Sequence, residues 1–92
     1  KGWIDRVWNY GLTHGPANHN ITKGLIITLA AVTKDQLEKR SYSEAIQICL
    51  ETGILDYNSI PDTKLVIMDD TSGGPEQCEK HISASFEMGA AF

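Results

Sequence analysis

The sequence predicts a small α/β domain. The expected architecture is an α+β two-layer sandwich of βαββ type, with one main helix packed on the sheet and a short amphipathic helix ahead of it. Three observations lead there. Leu25, Ile26, Ile27, Leu29, Ala30, Ala31 and Val32 form a nearly unbroken apolar run, the pattern of a strand covered on both faces. Residues 33–55 then carry helix signals. Residues 64–90 read as one β-hairpin, because Ile82, Ala84, Phe86 and Met88 alternate with polar residues at the period of a half-buried strand.

The elements follow in order. Trp3, Ile4, Val7, Trp8 and Leu12 recur at helical spacing, with Asp5 and Arg6 on the other side. Gly11 and the loop carrying His14, Gly15, Pro16, Ala17, Asn18, His19 and Asn20 end that helix. Residues 23–32 form the first strand. Thr33 caps a first helical turn through Leu37, and Ser41-Tyr42-Ser43-Glu44 fits a capping box. Ala45, Ile46, Ile48, Cys49 and Leu50 supply the inward stripe, and Gly53 stands where a C-terminal cap is expected. After a connection ending at Pro61, Lys64-Leu65-Val66-Ile67-Met68 is the second strand. Residues 69–80, with Gly73, Gly74 and Pro75, form a polar hairpin loop, and residues 81–88 the third strand. A right-handed crossover makes the first two strands parallel, and the third pairs antiparallel.

Ninety-two residues, 41% apolar and 22% charged, make a single globular domain spanning residues 1–92. A domain of this length buries only about two-thirds of its unfolded surface, so a disulfide, a ligand or a partner chain would support it. Residues 1–40 hold six basic and three acidic groups, whereas residues 41–92 hold two basic and nine acidic ones. The acidic second half argues against nucleic acid as a partner, since phosphate contacts need clustered Lys and Arg. No apolar run reaches the roughly 18 residues of a membrane span, so membrane contact without spanning is the most the sequence allows. The chain starts at Lys1 without Met, and Asn20-Ile21-Thr22 is a glycosylation acceptor pattern. Together they set the expectation of a processed chain, secreted or extracytoplasmic, glycosylated at Asn20. Cys49 and Cys78 permit one disulfide, worth about 3 kcal/mol if unstrained; two buried thiols are the equal alternative. Neither belongs to a CxxC pattern.

Candidate chemistry is sparse. Asp69, Asp70, Ser72, Gly73 and Gly74 form the densest polar cluster, a candidate loop for a divalent cation through oxygens or for an anion through consecutive N–H groups. Such residues are also what any hairpin loop contains. His14, His19 and His81 are candidate acid–base groups or ligands, and Cys78 with His81 a candidate nucleophilic pair. No metal site, cofactor motif, nucleotide loop or nucleophile elbow is present. Trp3, Val7 and Trp8 are the candidate binding surface, because exposed Trp anchors interfaces.

The hexamer Trp3-Ile4-Asp5-Arg6-Val7-Trp8 resembles the Trp-rich N-terminal segment of secreted yeast killer-toxin subunits, over six of 92 residues. The βαββ order is similar to half of a tautomerase, a family whose catalytic proline is N-terminal. Lys1 stands there instead and Pro16 is internal, so no activity carries over. The expected function is binding: a toxin-like, effector or subunit protein that meets another protein chain or itself through the Trp-bearing helix and an open sheet edge. The alternative is a small oligomeric enzyme with an inter-subunit site built from Asp69, Asp70, Ser72 and His81, completed by His14 or His19 of a neighbour.

Overall fold

The computed structural model describes residues 2–8 and 19–92. It is a mixed α/β arrangement of two parallel strands with several helices. The order is α1 (Gly2–Val7), β1 (Lys23–Leu29), α2 (Lys34–Lys39), α3 (Tyr42–Ile46), a π-helical continuation (Gln47–Asp56), β2 (Asp62–Met68) and α4 (Pro75–Ala91).

β1 and β2 pair in parallel from Lys23 opposite Asp62 to Leu29 opposite Met68. Both runs are rich in Ile, Leu and Val, which suit a pleated surface covered on both sides. Side chains alternate between the faces. On one face Thr63 donates its hydroxyl to Asp56 Oδ1 at 2.8 Å, and Gly24 lies against Leu55 and Ile60. That face belongs to the π-helical segment. On the other, Ser85 Oγ lies 3.6 Å from Met68 Sδ, and Lys23, Leu25 and Lys64 share a 190 Å³ pocket with Met88 and Phe92. That face belongs to α4. Helices therefore stand on both faces, although Leu29 and Ile27 on the α4 face of β1 remain exposed, and the two-layer expectation is corrected to a βαβα unit.

The expected hairpin is the main correction. Residues 81–88 are not a strand but part of the 17-residue α4, which begins at Pro75. Pro75 occupies the first turn, where its missing N–H costs nothing, and Glu76 meets the positive end of the helix dipole. Gln77, His81, Ala84, Ser85 and Met88 are half-buried, which is a helical stripe and not an alternating one.

Smaller corrections concern the crossover. β1 ends at Leu29, not at Val32. The helical stretch is interrupted at Ser41, whose φ of 59° is left-handed and whose hydroxyl makes no cap bond. The capping box lies earlier, where Gln36 Oε1 accepts the Thr33 N–H at 3.1 Å. Gly53 sits inside the π-helical segment, which runs on to Asp56. Ile46, Leu50 and Leu55 turn inward, while Ala45, Ile48 and Cys49 are exposed. Among the described residues the buried apolar core is Leu37, Leu55, Ile60 and Met68.

Candidate functional site

The polar loop lies where both parallel strands end. After β1 the chain continues alongside β2: Ala30 N–H donates to Met68 O at 2.9 Å, Asp70 N–H to Val32 O at 2.8 Å, and Thr71 N–H to Ala30 O at 3.1 Å. The carboxyl edge is therefore formed by residues 30–34 and 69–74, with α2 and α4 starting from it. Open α/β sheets bind ligands at this edge.

Most of the loop residues already have a structural task. Asp69 Oδ2 accepts the Lys34 N–H at 2.7 Å, which caps α2 from another part of the chain. Asp69 O accepts from His81 Nε2 at 2.6 Å and from Gln77 Nε2 at 3.3 Å, which fastens α4 to the end of β2. Asp70 adopts a left-handed φ of 48°, and Gly73 N–H returns to Asp70 O at 2.9 Å, closing a tight turn. A side chain at Gly73 would collide with the Asp70 carboxylate. Gly74, at φ 103°, turns the chain into α4 in a conformation side chains rarely adopt. Ser72 is exposed. Among the described residues no three of His, Cys, Asp and Glu gather where a metal ion could be held.

His19 is a fastener as well. Its Nε2 meets Asn58 O, and its Nδ1 accepts the Ile21 N–H at 3.1 Å. Both ring nitrogens are thus used within the fold. His14 lies outside the described residues. Cys78 and His81 are three apart on α4, not on opposite faces of a strand. Cys49 and Cys78 are both free and exposed. Asn20 is exposed beside the start of β1.

Trp3 on α1 is 64% exposed and Trp8, just after α1, is half-buried, their ring centroids 6.2 Å apart at 60°. The two indoles thus form one tilted aromatic pair rather than two separate covers. The Val7 side chain lies outside the described residues. Several other large apolar side chains are exposed, among them Leu29 on β1 at 72%, Tyr57 at 65%, and Ile82 and Phe86 on α4 at 67% and 77%, the last two expected on the buried face of a strand. Ile82 and Phe86 are four apart, which a helical assignment of residues 75–91 would have revealed.

Comparison with family models, with curated proteins and with solved structures gave no match to this chain. No helix among the described residues is long and apolar enough to cross a membrane.

Proposed function

We propose that this chain works by binding polypeptide, as a subunit of a larger assembly, through the Trp-bearing α1 and an open sheet edge. One observation carries the reading. The solvent-accessible surface is 6684 Å², against about 5,300 Å² for a compact monomer of this mass. The excess of roughly 1,400 Å² is what one partner contributes to a large, obligate interface. The radius of gyration, 15.2 Å, also exceeds the about 12 Å of a compact chain of this length. The Asn20 pattern supports placing the assembly outside the cytoplasm. The test is Trp3→Ala with Trp8→Ala, read by sedimentation of the native assembly and by melting. Association is expected to weaken at least tenfold while the melting temperature of the isolated chain moves little. Lost stability with unchanged association would remove α1 from the interface.

A second reading has its own support in the position of residues 69–74. An enzyme site there would lie at the carboxyl edge of a parallel sheet, where ligands are held. Asp70, Ser72 and residues of a neighbour would act, with Asp69 and His81 holding the loop in shape. The test is thermal stabilisation by Mg²⁺, Mn²⁺ or inorganic phosphate, lost in Asp70→Ala. No stabilisation by any of the three would end this reading.

A further inference from the structure

Lys39 and Arg40 are the one pair of adjacent basic residues in the sequence. They end α2, and the chain passes at once into α3. Arg40 leaves the helix at φ −104° and ψ 7°, and Ser41 follows at a left-handed φ of 59°, a conformation that costs any residue with a Cβ. Every residue from Glu38 to Tyr42 is exposed. Cations suit a helix C-terminus, which accounts for the two side chains but not for the weakness of the joint that carries them. α2 has six residues, too few to hold as a helix alone. Leu37 is its buried residue, and its Lys34–Glu38 pair, 4.0 Å apart, is exposed, where an ion pair contributes little. Opening the joint also releases Ser41 from its left-handed backbone. Proteases act on such locally opened segments, and exposed joints of small and polar residues are where folded chains are nicked.

The strongest ties between the two sides of this joint lie elsewhere in the fold. β1 belongs to the first side and β2 to the second, and their ladder runs from Lys23–Asp62 to Leu29–Met68. Beyond the ladder, Asp70 N–H donates to Val32 O at 2.8 Å, Lys34 N–H to Asp69 Oδ2 at 2.7 Å, and Lys23 Nζ to Phe92 O at 3.1 Å. Gly24 packs on Leu55 and Ile60 across the same boundary. The charge asymmetry of the chain also divides at this point. Residues 1–40 hold six basic and three acidic groups, and residues 41–92 two and nine, so the two sides attract. Both cysteines follow the joint and both are free, so no disulfide links the sides.

We infer that the Arg40–Ser41 bond is a processing site for a protease that reads paired basic residues. Its product is a two-chain protein held by the β1–β2 ladder with no covalent link. In the step the C–N bond breaks. The Arg40 carbonyl carbon takes the water oxygen and becomes a carboxylate, and both water protons pass to the Ser41 nitrogen, which becomes an ammonium. The ammonium then stands at the start of α3 and the carboxylate at the end of α2, each the charge that its helix end disfavours. The cut therefore frees the joint while the sheet stays paired. This inference does not depend on the polypeptide-binding reading, since none of its residues belongs to α1.

The experiment treats the folded chain with a subtilisin-class protease of paired-basic specificity and follows its mass. Under denaturing conditions the masses of residues 1–40 and 41–92 are expected. Under native conditions the expected species is a single one, heavier than the intact chain by one water. Lys39→Gln with Arg40→Gln is expected to slow the cut by about a hundredfold or more with the melting temperature unchanged, because both side chains are exposed. A folded chain left whole under conditions that cut the urea-unfolded chain to completion would overturn the inference. So would two pieces that separate under native conditions, or a double variant cut as fast as the parent. The natural protein supplies the second readout. Its mass spectrum is expected to contain a component that begins at Ser41, and chains that all run unbroken through residues 38–42 would overturn the processing role.

Discussion

Thr28 shows how one atom of this chain can be tested alone. It lies on β1 opposite Ile67, and its hydroxyl is buried with no hydrogen-bond partner. An orphaned hydroxyl costs about 1–3 kcal/mol. Thr28→Val keeps the branched shape and removes the orphan, so it is expected to raise stability by about 1 kcal/mol in urea denaturation. Equal or lower stability would mean that the hydroxyl is satisfied in solution. His19 is the opposite case, since both its nitrogens are engaged. His19→Ala is expected to cost about 1–2 kcal/mol. Neither role could be read from the sequence. The partner of His19 is 39 residues away, and spacing within a loop carries no trace of such a contact. The same holds for Asp69. Its acidic neighbour Asp70 made the pair look like ion ligands, yet the Asp69 carboxylate caps a helix that begins at residue 34.

At the level of elements, the parallel pair was legible and the last element was not. β1 and β2 announced themselves by β-branched apolar runs between turn residues, and their parallel pairing followed from the helical crossover between them. Residues 81–88 were misread because alternation has two solutions. In a helix, residues two apart stand 200° apart, so an alternating run divides into two opposite stripes. Ala84 and Met88 then face the sheet, and Ile82 and Phe86 face outward. The deciding signals lay upstream, in Pro75-Glu76-Gln77, a helix start that no strand would carry. The close approach of β1 to the crossover helix offers a test at this scale. A Cβ at Gly24 would stand 3.0 Å and 3.3 Å from the Leu55 methyl carbons. Gly24→Ala is therefore expected to cost about 1–3 kcal/mol by overpacking, read as a lowered melting temperature. A rise in melting temperature would mean that the strand and helix have room to separate.

For the whole molecule, burial is the decisive quantity. An unfolded chain of this mass exposes about 14,600 Å². The folded chain still exposes 6684 Å², so folding hides only about 54% of that surface, less than the roughly 60% that a 60-residue domain hides. Four buried apolar residues among those described are a small core with which to oppose the conformational entropy of ordering such a chain. Both quantities point the same way: the 92 residues alone should sit at the low end of the range of protein stability. We expect an unfolding free energy below about 5 kcal/mol for the isolated chain. The urea slope should also be roughly 15% shallower than for a compact chain of equal length, because it scales with the area exposed on unfolding. Both values come from one equilibrium urea titration followed by tryptophan fluorescence and far-ultraviolet dichroism. A stability above about 8 kcal/mol with a full-sized slope would show that the chain compacts by itself in solution. It would thereby remove the unburied surface on which the proposal of a partner rests.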